Sequence, residues 1–109
     1  MFNLFRKKTL NENSLRFKQD MAQKLNGKHI RYVTERQNNE DIVIGHDGCI
    51  AVRNNELILL SDGIVKFRVS VPDMRPSELM SLDGVILTGP DLENGGVERT
   101  VIAYYKYYR

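Results

Sequence analysis

Cysteine and histidine are scarce in this sequence, and their scarcity excludes several classes of protein. The single cysteine, Cys49, excludes an internal disulfide and agrees with a reducing compartment. Cys49, His29 and His46 also lack the paired spacing that zinc sites use, so no metal site is predicted. With 109 residues, 41% of them hydrophobic and 28% charged, the chain has the composition of one globular domain.

Long apolar runs are missing as well, so no segment is predicted to span a bilayer. The first eight residues place Phe2, Leu4 and Phe5 before Arg6, Lys7 and Lys8. A secretory signal has the reverse order and a longer apolar core. We therefore expect a cytoplasmic protein.

The sequence also lacks motifs typical of catalysis or of phosphate binding. No glycine-rich phosphate loop has the required spacing, and no cofactor is predicted. His46 and Cys49 are the nearest pair of reactive side chains, but no orienting residue or oxyanion donor accompanies them. The aspartates beside glycine or proline are predicted to stabilise turns: Asp47, Asp62, Asp83 and Asp91. The sequence thus predicts a non-enzymatic protein with no catalytic residue.

Charge is present but unevenly distributed. Residues 1–36 contain nine lysines and arginines against three acids, whereas the remainder contains seven against eleven. Such asymmetry is found in proteins that contact an anionic partner. It is equally expected of a basic helix that docks on an acidic sheet of its own chain or of a neighbour.

The N-terminal third is predicted to form an amphipathic helix over residues 11–26. Phe17, Met21 and Leu25 recur at helical spacing and form an apolar stripe. Asn11 or Asn13 is expected to cap its start, and Gly27 to end it. Residues 1–9 are predicted to be a mobile or loosely packed arm, and residues 10–109 a single domain.

The rest of the chain reads as a series of strands separated by turns. The pairs Asp47-Gly48, Asn54-Asn55 and Asp62-Gly63 suit tight hairpins. About seven strands are expected, over residues 29–36, 41–45, 49–53, 56–60, 64–71, 84–88 and 97–109. Pro76 suits the first turn of a short helix over residues 76–81, and Gly89-Pro90 is expected to end the sixth strand. The predicted fold class is α+β, mainly β, with mostly antiparallel strands in a small barrel-like or strongly bent sheet.

The C-terminal end carries the most unusual local composition, four tyrosines interleaved with two cations. The candidate interaction surface joins this end to the cations of the helix: Tyr104, Tyr105, Lys106, Tyr107, Tyr108, Arg109, Arg16, Lys18 and Lys24. Tyrosines of this kind form cores and subunit interfaces, or stack on the bases of a nucleic acid. Protein–protein binding or self-assembly, with the chain as a homo-oligomer, is the leading prediction. The alternative is nucleic-acid binding through residues 1–36 and the tyrosine-rich strand.

Overall fold

The fold, seen in a computed structural model that describes residues 14–106, is mainly β, as predicted. Its elements within those residues are α1 (Leu15–Leu25), β1 (His29–Gln37), β2 (Glu40–Arg53), β3 (Glu56–Ser61), β4 (Ile64–Ser70), β5 (Arg75–Glu78), β6 (Gly84–Asp91) and β7 (Val97–Tyr105). Short 3-10 turns lie at Val71–Asp73 and Leu92–Asn94. None of the described helices is both long and apolar enough to cross a membrane.

The seven strands form one sheet in the order β4-β3-β2-β1-β7-β6-β5. Every neighbouring pair is antiparallel, and the sheet curls strongly into a half-barrel. The first and last strands pair at the centre, since β1 and β7 align Thr34 with Ile102 and Val33 with Ala103. Consequently β4 and β5 are the two edges of the sheet.

The core lies on the concave face of the half-barrel. Alternate residues of β7, Val101, Ala103 and Tyr105, belong to this core, together with Phe67 from β4. Helix α1 adds Ala22 and Leu25, both almost fully buried. The side chains between them along β7 therefore point to the outer face of the sheet.

The hairpin predicted at Asp47-Gly48 is wrong, because β2 runs through it as a single strand of 14 residues. Gly48 pairs with Ile30 of β1 on one side and with Ser61 of β3 on the other. Asp47 has a φ of 48°, so the strand bends there without reversing. Gly48 instead allows β2 and β3 to approach closely, since a Cβ at this position would overlap the carbonyl oxygen of Leu60.

The short helix predicted near residues 76–81 is also wrong, since Pro76 lies within the edge strand β5. Leu79 N–H donates to Gly84 O at 3.0 Å, which makes Leu79 a residue that faces β6. By alternation, the main chain of Pro76 faces away from β6, where no N–H is needed. Gly89 and Pro90 likewise lie inside β6, and Pro90 lies beyond the end of β5.

The helix begins later than expected. Ser14 caps it, accepting a hydrogen bond from Phe17 N–H at 3.1 Å, whereas Asn11 and Asn13, the predicted caps, lie outside the described residues. Its end agrees with the prediction, because Gly27 takes a φ of 90°. The arm predicted over residues 1–9 lies outside the described residues.

Candidate functional site

The tyrosine-rich end divides between the two faces of the sheet. Tyr105 is 3% exposed and packs in the core, whereas Tyr104 lies on the outer face. There it stacks on Tyr32 of β1, with ring centroids 4.5 Å apart and planes inclined by 20°. Burial raises the pKa of Tyr104. Tyr107, Tyr108 and Arg109 of the candidate surface lie outside the described residues.

The cations near these tyrosines are held by contacts within the chain. Arg31 Nε donates to Tyr105 O at 3.0 Å, and its guanidinium carbon lies 5.6 Å from the Tyr32 ring centroid. Lys28 Nζ lies 4.8 Å from the Tyr105 ring centroid, within the range of a cation–π contact. Lys106 Nζ lies 3.4 Å from Asp47 Oδ1. These contacts lie at one end of the central strand pair, where β1 begins and β7 ends.

The helix cations predicted as part of the surface also meet partners in the chain. Lys18 Nζ donates to Pro72 O at 2.8 Å, and Lys24 Nζ to Glu78 Oε1 at 2.9 Å. Arg16 is 90% exposed and lies 4.0 Å from Asp20 in the next helical turn. Lys18 and Lys24 thus fasten α1 beside β5 and the turn that precedes it, as a basic helix docked on its own chain would.

The most buried charges form a closing network of Glu35, Asp91 and Arg99. Arg99 donates to Glu35 through Nε at 2.9 Å and Nη2 at 2.6 Å, a two-point contact. Its Nη1 donates to Asp91 Oδ2 at 2.6 Å and to Lys66 O at 2.8 Å. The side chains of Glu35 and Arg99 are about 15% and 14% exposed, and that of Asp91 is fully buried.

The closing network shifts the pKa of all three groups toward the charged form. The hydrogen bonds from Arg99 lower the pKa of Glu35, and those to Glu35 and Asp91 raise the pKa of Arg99. Burial on its own raises the pKa of Asp91. Hydrogen bonds from Arg99, Asn94 and two backbone N–H groups outweigh it, so the pKa of Asp91 is lowered.

This network closes one edge of the sheet. Asp91 Oδ1 accepts from Arg68 N–H at 3.1 Å, while Arg99 donates to Lys66 O, so both bind the outward main chain of β4. Arg68 adds ion pairs with Glu56 and Glu93. The edge of β4 is therefore occupied by side chains of its own domain, which protects it against pairing with another strand.

The other edge, β5, receives no such hydrogen bonds from the described part of the chain. Because Leu79 faces β6, alternation turns the main chain of Glu78 and Pro76 outward. Glu78 N–H, Glu78 C=O and Pro76 C=O have no hydrogen-bond partner among residues 14–106. They leave one donor and two acceptors on the open side of the strand.

That open side borders what we call the α1–β5 groove. It has a volume of about 350 Å³ and is lined by Phe17, Met21, Pro76, Ser77 and Glu78. Phe17 and Met21 are half-buried on the helix, and Pro76 is buried within β5. None of the predicted surface residues within 14–106 lines the groove, and Lys24 reaches it through its ion pair with Glu78. The groove thus combines apolar side chains with unpaired main-chain groups.

Sequence reasoning missed this groove because it assigned Pro76 to a helix. The sequence feature that could have indicated a strand is the short segment 75–78, which lies between Pro72 and the turn at Asp83-Gly84. A proline within such a segment is compatible with an edge strand. The groove also depends on how α1 docks, which no local pattern specifies.

No hydrogen bond joins the side chains of His46 and Cys49 within residues 14–106. They lie in β2 opposite different residues of β1, Tyr32 and His29. No group of three or more histidine, cysteine, aspartate or glutamate residues within residues 14–106 is arranged to hold a metal ion. Comparison with protein-family models, curated proteins and solved structures finds no match for the chain.

Proposed function

We propose that this chain is a small non-enzymatic domain that acts in protein–protein binding, with the α1–β5 groove as its binding surface. The observation that carries the proposal is the unpaired main chain of Pro76 and Glu78 beside the half-buried Phe17 and Met21. A strand edge binds a polypeptide through two kinds of contact. Its main-chain donors and acceptors form hydrogen bonds with the peptide backbone, and nearby apolar side chains receive the peptide's side chains. At the opposite edge, β4, Arg68 N–H and Lys66 C=O are already bonded to Asp91 and Arg99.

Nucleic-acid binding has weaker support. Tyr32 covers one ring face of Tyr104, which leaves less aromatic surface for a base. Lys18 and Lys24 hold the helix to its own chain. A surface that binds phosphates needs several free cations, and these two are engaged. Self-association is the other form of protein binding expected from the sequence. At β4 it is restricted by the bonds to Asp91 and Arg99, and at β5 by Pro76, which has no N–H.

Site-specific crosslinking tests the proposed surface. We expect a photoreactive p-benzoylphenylalanine at Ser77, an exposed residue that lines the groove, to form a discrete protein adduct in native cells. The same group at the exposed Arg53 is expected to form none. Phe17→Ser should lower the yield at position 77 at least tenfold, because it removes the aromatic wall of the groove.

Gln19→Ser is the matched control for Phe17→Ser, since Gln19 is exposed on the same helix and does not line the groove. It should leave the adduct unchanged. The proposal is wrong if position 77 gives no adduct, or if Phe17→Ser and Gln19→Ser give equal yields in folded protein.

A further inference from the structure

We infer that the α1–β5 groove binds a short extended peptide segment of its protein partner, which adds to β5 as an eighth strand. This inference rests on the proposed function and specifies its partner. The mode of binding follows from the main chain, because an edge strand with unpaired groups is completed by another extended chain.

The pattern of free groups sets the chemistry of the peptide. Pro76 C=O and Glu78 C=O accept, and Glu78 N–H donates, so a peptide must offer two amide N–H groups and one carbonyl along its facing edge. Successive side chains of a strand alternate between its two faces. One set therefore faces Phe17 and Met21, and the other faces solvent. An apolar residue at every second position is the expected recognition pattern.

The length of the edge favours a short peptide segment as the part of the partner that binds here. With four residues, β5 extends about 13 Å at roughly 3.3 Å per residue. Stable interfaces between folded proteins bury about 800 Å² on each partner, far more than a four-residue strand edge by itself. A peptide of about five residues matches its length.

Pro76 also argues against a second copy of this chain. Pro76 has no N–H, and it occupies one of the two positions whose main chain points outward. If two β5 edges paired, they would therefore have fewer N–H donors than C=O acceptors. A peptide with an N–H at every position meets the two acceptors fully. The proline thus favours a foreign strand over self-pairing.

The test uses a random heptapeptide library displayed against the full chain, followed by affinity measurement of the selected peptides. Two substitutions of Glu78 distinguish the contribution of its main chain to binding from that of its side chain. Glu78→Ala and Glu78→Pro both lose the ion pair to Lys24, but only the proline also removes the N–H that points into the groove. The ladder to β6 is untouched in both, since residue 78 faces away from β6.

We expect the library to yield peptides with alternating apolar residues. Glu78→Ala is the reference for the proline variant, since it keeps the N–H at position 78. Glu78→Pro should lose at least tenfold, which corresponds to about one hydrogen bond plus the steric conflict of the ring. Circular dichroism of both variants verifies that the sheet is retained.

Each other outcome overturns the inference. Peptides that bind Glu78→Pro as tightly as Glu78→Ala are not held by strand addition. A library that yields no binder, while position 77 still forms its protein adduct, rejects the peptide but leaves the proposed function standing. Failure of both experiments rejects the proposed function as well.

Discussion

Replacing Arg99 with alanine is expected to reduce the free energy of unfolding by about 3–5 kcal/mol, the range found when one partner of a buried ion pair is removed. The change leaves Asp91, which is fully buried, without its guanidinium, and deprives Glu35 of a two-point contact. It also frees Lys66 O at the edge of β4. Urea unfolding followed by circular dichroism measures the loss.

Arg75→Ala provides the control for this substitution. Arg75 pairs with Glu98 on the surface, where its side chain is 48% exposed, so the loss should stay below about 1 kcal/mol. A loss below about 1 kcal/mol for Arg99→Ala would contradict the role of the closing network. Equal losses for the two variants would do the same.

Replacing Gly48 with alanine is expected to cost about 3 kcal/mol or more, at or above the upper end of typical overpacking penalties. The new Cβ would overlap Leu60 O and lie 2.7 Å from its carbonyl carbon and 2.8 Å from Ser61 Cα. These are backbone atoms of a paired strand, so they cannot move aside as a flexible side chain would. Thermal unfolding of the variant measures the effect.

Gly63→Ala separates this clash from ordinary conformational strain. Gly63 takes a φ of 75°, and a Cβ there meets nothing within 4 Å. Its cost should be about 1–2 kcal/mol, that of a left-handed residue with a side chain. If Gly48→Ala costs no more than Gly63→Ala, the close approach of β2 and β3 is contradicted.

Helix α1 and the strands β1, β3, β4, β6 and β7 could be predicted from the sequence because they depend on local patterns. The alternation in β4 and the left-handed Gly27 are examples, since each reports the conformation of its own segment. Asp47-Gly48 misled the prediction, because the same dipeptide suits a hairpin turn and a bend within a strand. Only pairing with both β1 and β3 decides between them.

The candidate site was harder to predict because it depends on contacts between distant segments. Asp91 was predicted to be a turn residue, and it does bind the backbone of the following turn through Glu93 N–H at 3.0 Å. Its burial and its bond to Arg68 arise only when β6 closes onto β4. The tyrosines were prominent in the sequence, yet Tyr105 belongs to the core. The composition therefore predicted an aromatic strand, but it did not show which tyrosine rings are exposed to solvent.

The two edges of the sheet give the domain an asymmetry that its sequence does not reveal. One edge is bound by the closing network, and the other opens into a groove beside α1. An edge strand without cover is ordinarily prone to unwanted pairing. Here the short length of β5, the proline and the adjacent helix restrict what can pair with it. Strand addition at β5 requires that this edge is open in solution.

Amide hydrogen exchange along β5 in the free protein measures this most directly. Leu79 N–H is bonded to Gly84 O, and Ser77 N–H faces β6, so both should exchange slowly. Glu78 N–H faces the groove and should exchange at least about a hundredfold faster, as expected of an amide without a partner. If Glu78 is protected as strongly as Ser77 and Leu79, the edge is already occupied, and the groove cannot bind a strand there.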